Sequence, residues 1–162
     1  DASAKGIPFS IEQRFKGYQD CLSQHSIQPK DEWIWHDVWT SPSAAQDESL
    51  LWGNLLDWKE SELDQRIDAL LSLDDVRAGI AINAARNLKI EVPNDIAITG
   101  FDNVPSIQQV FNHGFPTTKP NFFRAGELAL SLLLREIKED NEHHVSHILA
   151  STVHWPENYL KQ

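Results

Sequence analysis

Asp74, Asp75 and Asp102 each stand shortly after an apolar run, so a sheet could bring three carboxylates together at its strand ends. Such a set can work as a general acid and base, or hold a magnesium ion. It can equally accept hydrogen bonds from the hydroxyls of a bound ligand. No partner nucleophile accompanies the acids: G-x-S-x-G is missing, and the seven glycines form neither G-x-G-x-x-G nor a Walker loop. Catalysis by the acidic cluster is therefore the minority reading. His143-His144-x-x-His147 contains no cysteine and matches no structural zinc spacing, which favours a solvated turn, and no metal or cofactor is expected. Arg14, read from its pattern alone, is a solvated surface charge. Trp39 closes an aromatic run; its indole can pack in a core or stack on the apolar face of a sugar ring.

The stretch that must position Asp102 reads V-P-N-D-I-A-I-T-G-F-D-N from Val92 to Asn103. Pro93-Asn94 releases the chain from a helix, and Ile96-Ala97-Ile98 is a short buried strand. The strand breaks at Gly100 and places Asp102 and Asn103 on the loop beyond its carboxyl end, where ligands bind in open parallel sheets. Upstream, Phe9, Ile11, Phe15, Tyr18 and Leu22 recur at helical spacing, giving a helix from about Ser10 to Gln24. Ser10 with Gln13 has the form of a capping box. Trp33 to Val38 reads as a strand, and Leu50, Leu51, Leu55 and Trp58 line the apolar side of the helix that follows. Ile67 to Ser72 is strand-like. Helix resumes from Val76 to Leu88, with Asp74 and Asp75 at an amino end whose dipole favours carboxylates. Val104 to Pro120 reads as a long loop, and its apolar stretch Ile107 to Phe111 suggests a partner surface. A helix from about Asn121 to Lys138 and a strand from Ile148 to Val153 complete the chain. Strand and helix thus alternate from Trp33 to Val153, which predicts an α/β doubly wound parallel sheet.

At 162 residues, 41% of them apolar, the chain can bury a proper core. No apolar run approaches the ~20 residues of a membrane span. The opening D-A-S-A-K has no signal architecture and no initiator methionine, so a processed chain or a piece of a longer one is expected. Cys21 is the single cysteine; it suits a cytoplasmic location, and its place in an amphipathic helix predicts a buried structural thiol. A net charge of −10 repels phosphate backbones, so any DNA contact must be made by another part of a longer protein.

The run from Asp68 to Asn103, D-A-L-L-S-L-D-D-V-R-A-G-I-A-I-N-A-A-R-N-L-K-I-E-V-P-N-D-I-A-I-T-G-F-D-N, resembles the effector-binding core of the lac repressor/galactose repressor family of bacterial transcription regulators. Arg14-Phe15-Lys16-Gly17-Tyr18 is similar to the family's R-x-x-G-[FYW], and Phe115-Pro116-Thr117-Thr118 to its L-T-T. The resemblance covers nearly the whole chain and is loosest from Trp39 to Arg66, where an insertion is expected. It implies a fold like the type I periplasmic binding proteins. Residues 1–162 would be the carboxyl half of the effector-binding and dimerisation domain, mainly its distal subdomain. The helix-turn-helix headpiece, and with it operator DNA contact, would lie before residue 1, as would most of the amino-terminal subdomain.

By position, the resemblance implies effector contacts at Ser10, Arg14, Trp39, Asp74, Asp102 and Phe122, with a sugar or sugar-like small molecule as ligand and no catalysis. Asp74 departs from the family's asparagine, which removes an amide donor and adds a charge near Asp102. Arg14 is expected to offset that repulsion. A homodimer is also implied, through Val76, Gly79, Ile80 and Asn83 on one helix and Ile107, Val110 and Phe111 beyond the strand. The rivals are a periplasmic sugar-binding protein of the same fold and an enzyme using the acidic cluster.

Overall fold

The computed structural model describes residues 9–35, 44–62, 66–111, 114–139, 146–157 and 159. Its elements are α1 (Phe9–Gln24), a 3-10 turn (Asp31–Trp33), α2 (Ala44–Glu60), β1 (Ala69–Leu71), α3 (Asp75–Asn87), β2 (Ala97–Phe101), α4 (Pro105–Gln108), β3 (Thr117–Lys119), α5 (Phe122–Glu139) and β4 (Thr152–His154). The sheet runs in the order β1-β2-β3-β4. β1 pairs with β2 and β2 with β3 in parallel, whereas β4 joins β3 antiparallel. The α/β, parallel-dominated expectation is met by the first three strands, and the last departs from it. A parallel fourth strand would need a crossover helix lying back on the sheet. α5 does not lie there; its apolar residues Leu130, Leu133 and Ile137 face solvent.

The core forms where small residues let helix and sheet approach. α3 offers Ala78, Ala81, Ala84 and Ala85 to α2 and β2, all four buried. α2 answers with Leu51, Leu55 and Trp58, and β2 contributes Ile98 beside the preceding Ile96. Trp58 donates from its indole nitrogen to the Ile67 carbonyl at 3.0 Å, which satisfies the one polar atom of that side chain. Tyr159 reaches back to β2 and both donates to the Ile98 carbonyl and accepts from its N–H, at 2.8 and 2.9 Å.

Three sequence expectations need correction. The strand expected at Trp33–Val38 begins instead with a 3-10 turn; Ile34 has extended dihedrals but no ladder partner among the described residues, and 36–38 lie outside them. The expected loop Val104–Pro120 contains α4 and β3. Pro105 at the first turn of α4 has the fixed φ that starts a helix, and the β-branched Thr117-Thr118 pair takes ladder positions opposite Gly100 and Phe101. Cys21 is exposed, not buried, because α1 buries none of its residues.

Candidate functional site

The end of β2 delivers Asp102 and Asn103 through a tight turn, both with positive φ, +97° and +51°. That region of backbone space favours glycine, so side chains there persist only when their surroundings hold them. Gly100 is required just before the turn. A Cβ there would collide with the Asp75 carboxylate and stand 2.7 Å from the Phe115 ring.

Arg14 crosses from α1 to this turn. Its Nη1 donates to the Leu73 carbonyl at 2.7 Å, its guanidinium carbon sits 3.8 Å from the centroid of the Phe101 ring, and its Nη2 lies 3.6 Å from Asp102 Oδ1. One side chain thus ties α1 to the β1–α3 junction and to the carboxyl end of β2. The solvated surface charge suggested by its sequence pattern is corrected to an anchored one, 28% exposed beside an Asp102 that is 31% exposed. Side chains alternate along a strand, and Gly100 faces Asp75 and Phe115. Arg14 on Phe101 therefore occupies the face of β2 opposite α3.

Burial raises the Asp102 carboxyl above its ordinary value. The Arg14 charge opposes that rise, and the negative charges of Asp74 and Asp75 add to it. Arg14 therefore offsets the Asp74–Asp102 repulsion in the direction expected. Asp74 caps α3: its Oδ1 accepts from the Arg77 N–H at 2.8 Å and its Oδ2 from Arg77 Nη1 at 2.6 Å. The departure from asparagine is thus matched by a cation one turn along the helix. Arg77 stands three residues after Asp74, the spacing at which opposite charges meet on one helix face.

Asp75 is the residue that sequence reasoning undervalued. It is fully buried, and it accepts from the Val104 N–H at 2.6 Å and the Thr117 hydroxyl at 2.5 Å. A helix dipole alone would have left it at the surface.

The remaining predicted contacts are not gathered in this way. Ser10 is exposed inside the first turn of α1, not at a cap before it. It is one turn from Arg14 and so on the same helix face. Phe122 opens α5 and is 66% exposed, with Phe123 beside it also exposed. Trp39 lies outside the described residues, as do His143 and His144. Among the described residues, no three His, Cys, Asp or Glu side chains are placed to share a metal ion. No described helix is long and apolar enough to cross a membrane.

Of the residues expected at a dimer surface, Val76, Asn83 and Val110 are exposed, and Ile80 and Ile107 are half-buried. Gly79 and Phe111 are buried against one another in the same chain. A Cβ on Gly79 would meet the Phe111 ring at 3.3 Å and Ile107 at 3.4 Å. The apolar stretch Ile107–Phe111 thus has an account within the chain: α4 packs on α3, and Phe111 meets Phe115 edge-on at 5.7 Å. A depression of about 320 Å³, lined by Ile82, Arg86 and Val92 among others, lies at the far end of α3 and includes none of the strand-end cluster.

Residues 5–155 match the periplasmic binding protein-like domain family, and the chain belongs to that family. Among its relatives is the HTH-type transcriptional repressor PurR of Aliivibrio salmonicida, 26% identical over 135 residues, or 83% of this chain and 37% of that protein. The HTH-type transcriptional regulator MalR of Clostridium butyricum is 29% identical over 139 residues, covering 86% of this chain and 38% of the relative. The chain therefore spans well under half the length of these curated relatives. A solved LacI-family regulatory protein from Chloroflexus aggregans superposes with a TM-score of 0.69 at 22% identity, over 86% of this chain and 47% of that one. The transcriptional regulator CelR in complex with cellobiose gives 0.69 at 16% identity, over 89% and 41%. At those identities the structures speak for the fold alone. Together with the family match, the relatives bear out the resemblance to the effector-binding part of lac repressor/galactose repressor regulators, a family of regulators and not of enzymes.

Proposed function

We propose that this chain is the effector-sensing domain of a DNA-binding transcription regulator, taking a sugar-like small molecule at the strand-end cluster and altering operator affinity in response. The observation that carries this reading is Arg14, held on Leu73, Phe101 and Asp102 at the carboxyl ends of β1 and β2. That arrangement offers hydroxyl groups a carboxylate acceptor and a planar fork of donors, side by side and half-exposed. Two neighbouring folds were solved with saccharides, CelR with cellobiose and a Lactobacillus casei regulator with sucrose, which favours a carbohydrate over other hydroxylated ligands.

Ser10, Trp39, Asp74 and Phe122 are proposed to complete the contacts as the family's pattern places them. Asp74 is already engaged by Arg77, so it would act mainly as a fixed negative charge with spare lone pairs. Homodimerisation is proposed through the α3 surface at Val76, Gly79, Ile80 and Asn83, together with Ile107, Val110 and Phe111. Gly79 and Phe111 would support that surface from beneath. The protein would work in the cytoplasm. Its net charge of −10 makes this chain a poor partner for phosphate backbones, so operator contact is assigned to other parts of the regulator. Effector coupling of ~1–3 kcal/mol between cleft and operator would be typical.

A thermal-shift panel of cellobiose, sucrose, glucose and adenosine tests the ligand class. At a concentration of 100 times Kd a bound ligand stabilises by about 2.7 kcal/mol, a readily measured rise in Tm. A rise with a saccharide is expected. No shift with any saccharide, or a shift with adenosine alone, contradicts the reading.

A further inference from the structure

We propose that Asp75 is the positioning residue of the effector turn, clamping Asn103 and Val104 from beneath and tying that turn to α4. The inference rests on the assignment of Asp102 to the effector contact and adds what holds that contact in place. The turn carries two consecutive non-glycine residues at positive φ, Asp102 and Asn103. Backbone strain of this kind persists only where the surrounding contacts hold it.

Three successive N–H groups meet that need. Asp102 donates to the Thr118 carbonyl at 2.8 Å, Asn103 to the Thr117 hydroxyl at 3.2 Å, and Val104 to Asp75 Oδ2 at 2.6 Å. The Thr117 hydroxyl in turn donates to Asp75 Oδ1 at 2.5 Å. Its orientation as an acceptor for Asn103 is thus set by Asp75. One carboxylate therefore governs two of the three N–H contacts, one directly and one through threonine.

The same carboxylate also reaches the segment beyond the turn. Gln108 of α4 donates from Nε2 to Asp75 Oδ2 at 3.4 Å, while its Oε1 accepts from the Phe115 N–H at 3.1 Å. A shift of the turn thus displaces acceptors that α4 and the start of β3 share. Because α4 packs on α3 through Ile107 and Phe111, Asp75 is the shared point between the strand-end cluster and the α4 surface. Asp75 and its Thr117 partner are both buried, so removing this carboxylate leaves the threonine hydroxyl without its acceptor and out of reach of water.

Amide hydrogen exchange by NMR tests the clamp without a ligand. The proteins compared are wild type, Thr117→Ser, Thr117→Val and Asp75→Asn. Thr117→Val should accelerate exchange at Asn103 about tenfold or more, and Thr117→Ser, which keeps the hydroxyl, should restore protection. Asp75→Asn should accelerate both Asn103 and Val104. The Ile98 amide, held by Tyr159, should keep its wild-type rate in Thr117→Val, which separates a local opening from a loss of fold. Unchanged rates at Asn103 and Val104, or equal acceleration at Ile98 in Thr117→Val, overturn the clamp.

Titration of the same proteins with cellobiose and sucrose tests the functional half. If the wild type binds either, Thr117→Val should weaken it about tenfold, with Thr117→Ser restoring affinity. Undiminished affinity beside accelerated exchange overturns the positioning role. A wild type that binds neither counts against the effector reading, while the exchange result still decides the clamp.

Discussion

α3 and α5 are both amphipathic helices of regular length, and they meet opposite fates. α3 is enclosed: seven of its residues are buried, its first turn is capped by Asp74, and its Asp75 anchors the strand-end turn. α5 carries the more sharply segregated apolar face of the two, yet Phe123, Leu130, Leu133 and Ile137 stand in solvent. α1, like the described residues of α5, buries no side chain, but Arg14 fastens it to the sheet through Leu73, Phe101 and Asp102. Amphipathic patterning records that a face is built to be covered; small residues and matched side chains decide whether this chain covers it itself. In α3 the alanines do so, by letting Leu55, Ile96 and Ile98 come close.

The contrast can be broken most forcefully at Phe115. It is fully buried between Gly100 and Phe111, so Phe115→Ala should cost about 3–5 kcal/mol in urea unfolding. A cost near zero would mean that the centre is not packed as described.

A smaller effect is expected in the titration of Asp102. Its carboxyl is raised by burial, lowered by Arg14 and raised by Asp74 and Asp75. A raised native pKa means that the folded chain holds this proton more tightly than the unfolded one. Its contribution to stability is therefore greatest at low pH and falls as pH rises through the folded pKa. Arg14→Gln should move the Asp102 pKa further up, and Asp74→Asn should move it down, as read by carbon-detected NMR. Movement in the opposite senses would disconnect the three residues. The smallest effect belongs to α5. Leu130→Ala removes a side chain that is 57% exposed and should change stability by no more than about 0.5 kcal/mol. A cost of about 2 kcal/mol or more would show that another surface covers α5 in solution.

Much of the fold was legible because its signals are local. The V-P-N-D turn and the apolar Ile96–Ile98 run place the start of β2 within a residue, but the strand does not break at Gly100: it pairs there with Thr117 and runs on to Phe101 before the polar turn. The alanine-rich periodicity of α3 and the apolar stripe of α5 mark those helices just as closely. Short elements were lost where a few residues carry the whole signal: β3 is only Thr117–Lys119, and α4 is one turn started by Pro105. Trp33-Ile34-Trp35 has strand composition but finds no ladder among the described residues, because pairing depends on neighbours that composition does not record.

At the candidate site, the resemblance implies Arg14 and Asp102 as separate effector contacts, with Arg14 expected to offset the Asp74–Asp102 repulsion, and the geometry brings the two side chains together. Asp75 is legible as a strand-end or helix-end carboxylate, but its bonds to Val104 and Thr117 are not, since these partners lie 29 and 42 residues away in sequence. The burial expected of Cys21 fails for a related reason. A helix pattern says which face is apolar, not whether anything lies against it.

The central claim is that Arg14 and Asp102 together contact a sugar-like effector, and isothermal titration of wild type, Arg14→Gln and Asp102→Asn with cellobiose and sucrose tests it most directly. The account predicts that the wild type binds a saccharide and that each variant loses about tenfold or more in affinity, as expected for a lost charge-assisted hydrogen bond. Wild-type affinity in both variants would contradict it.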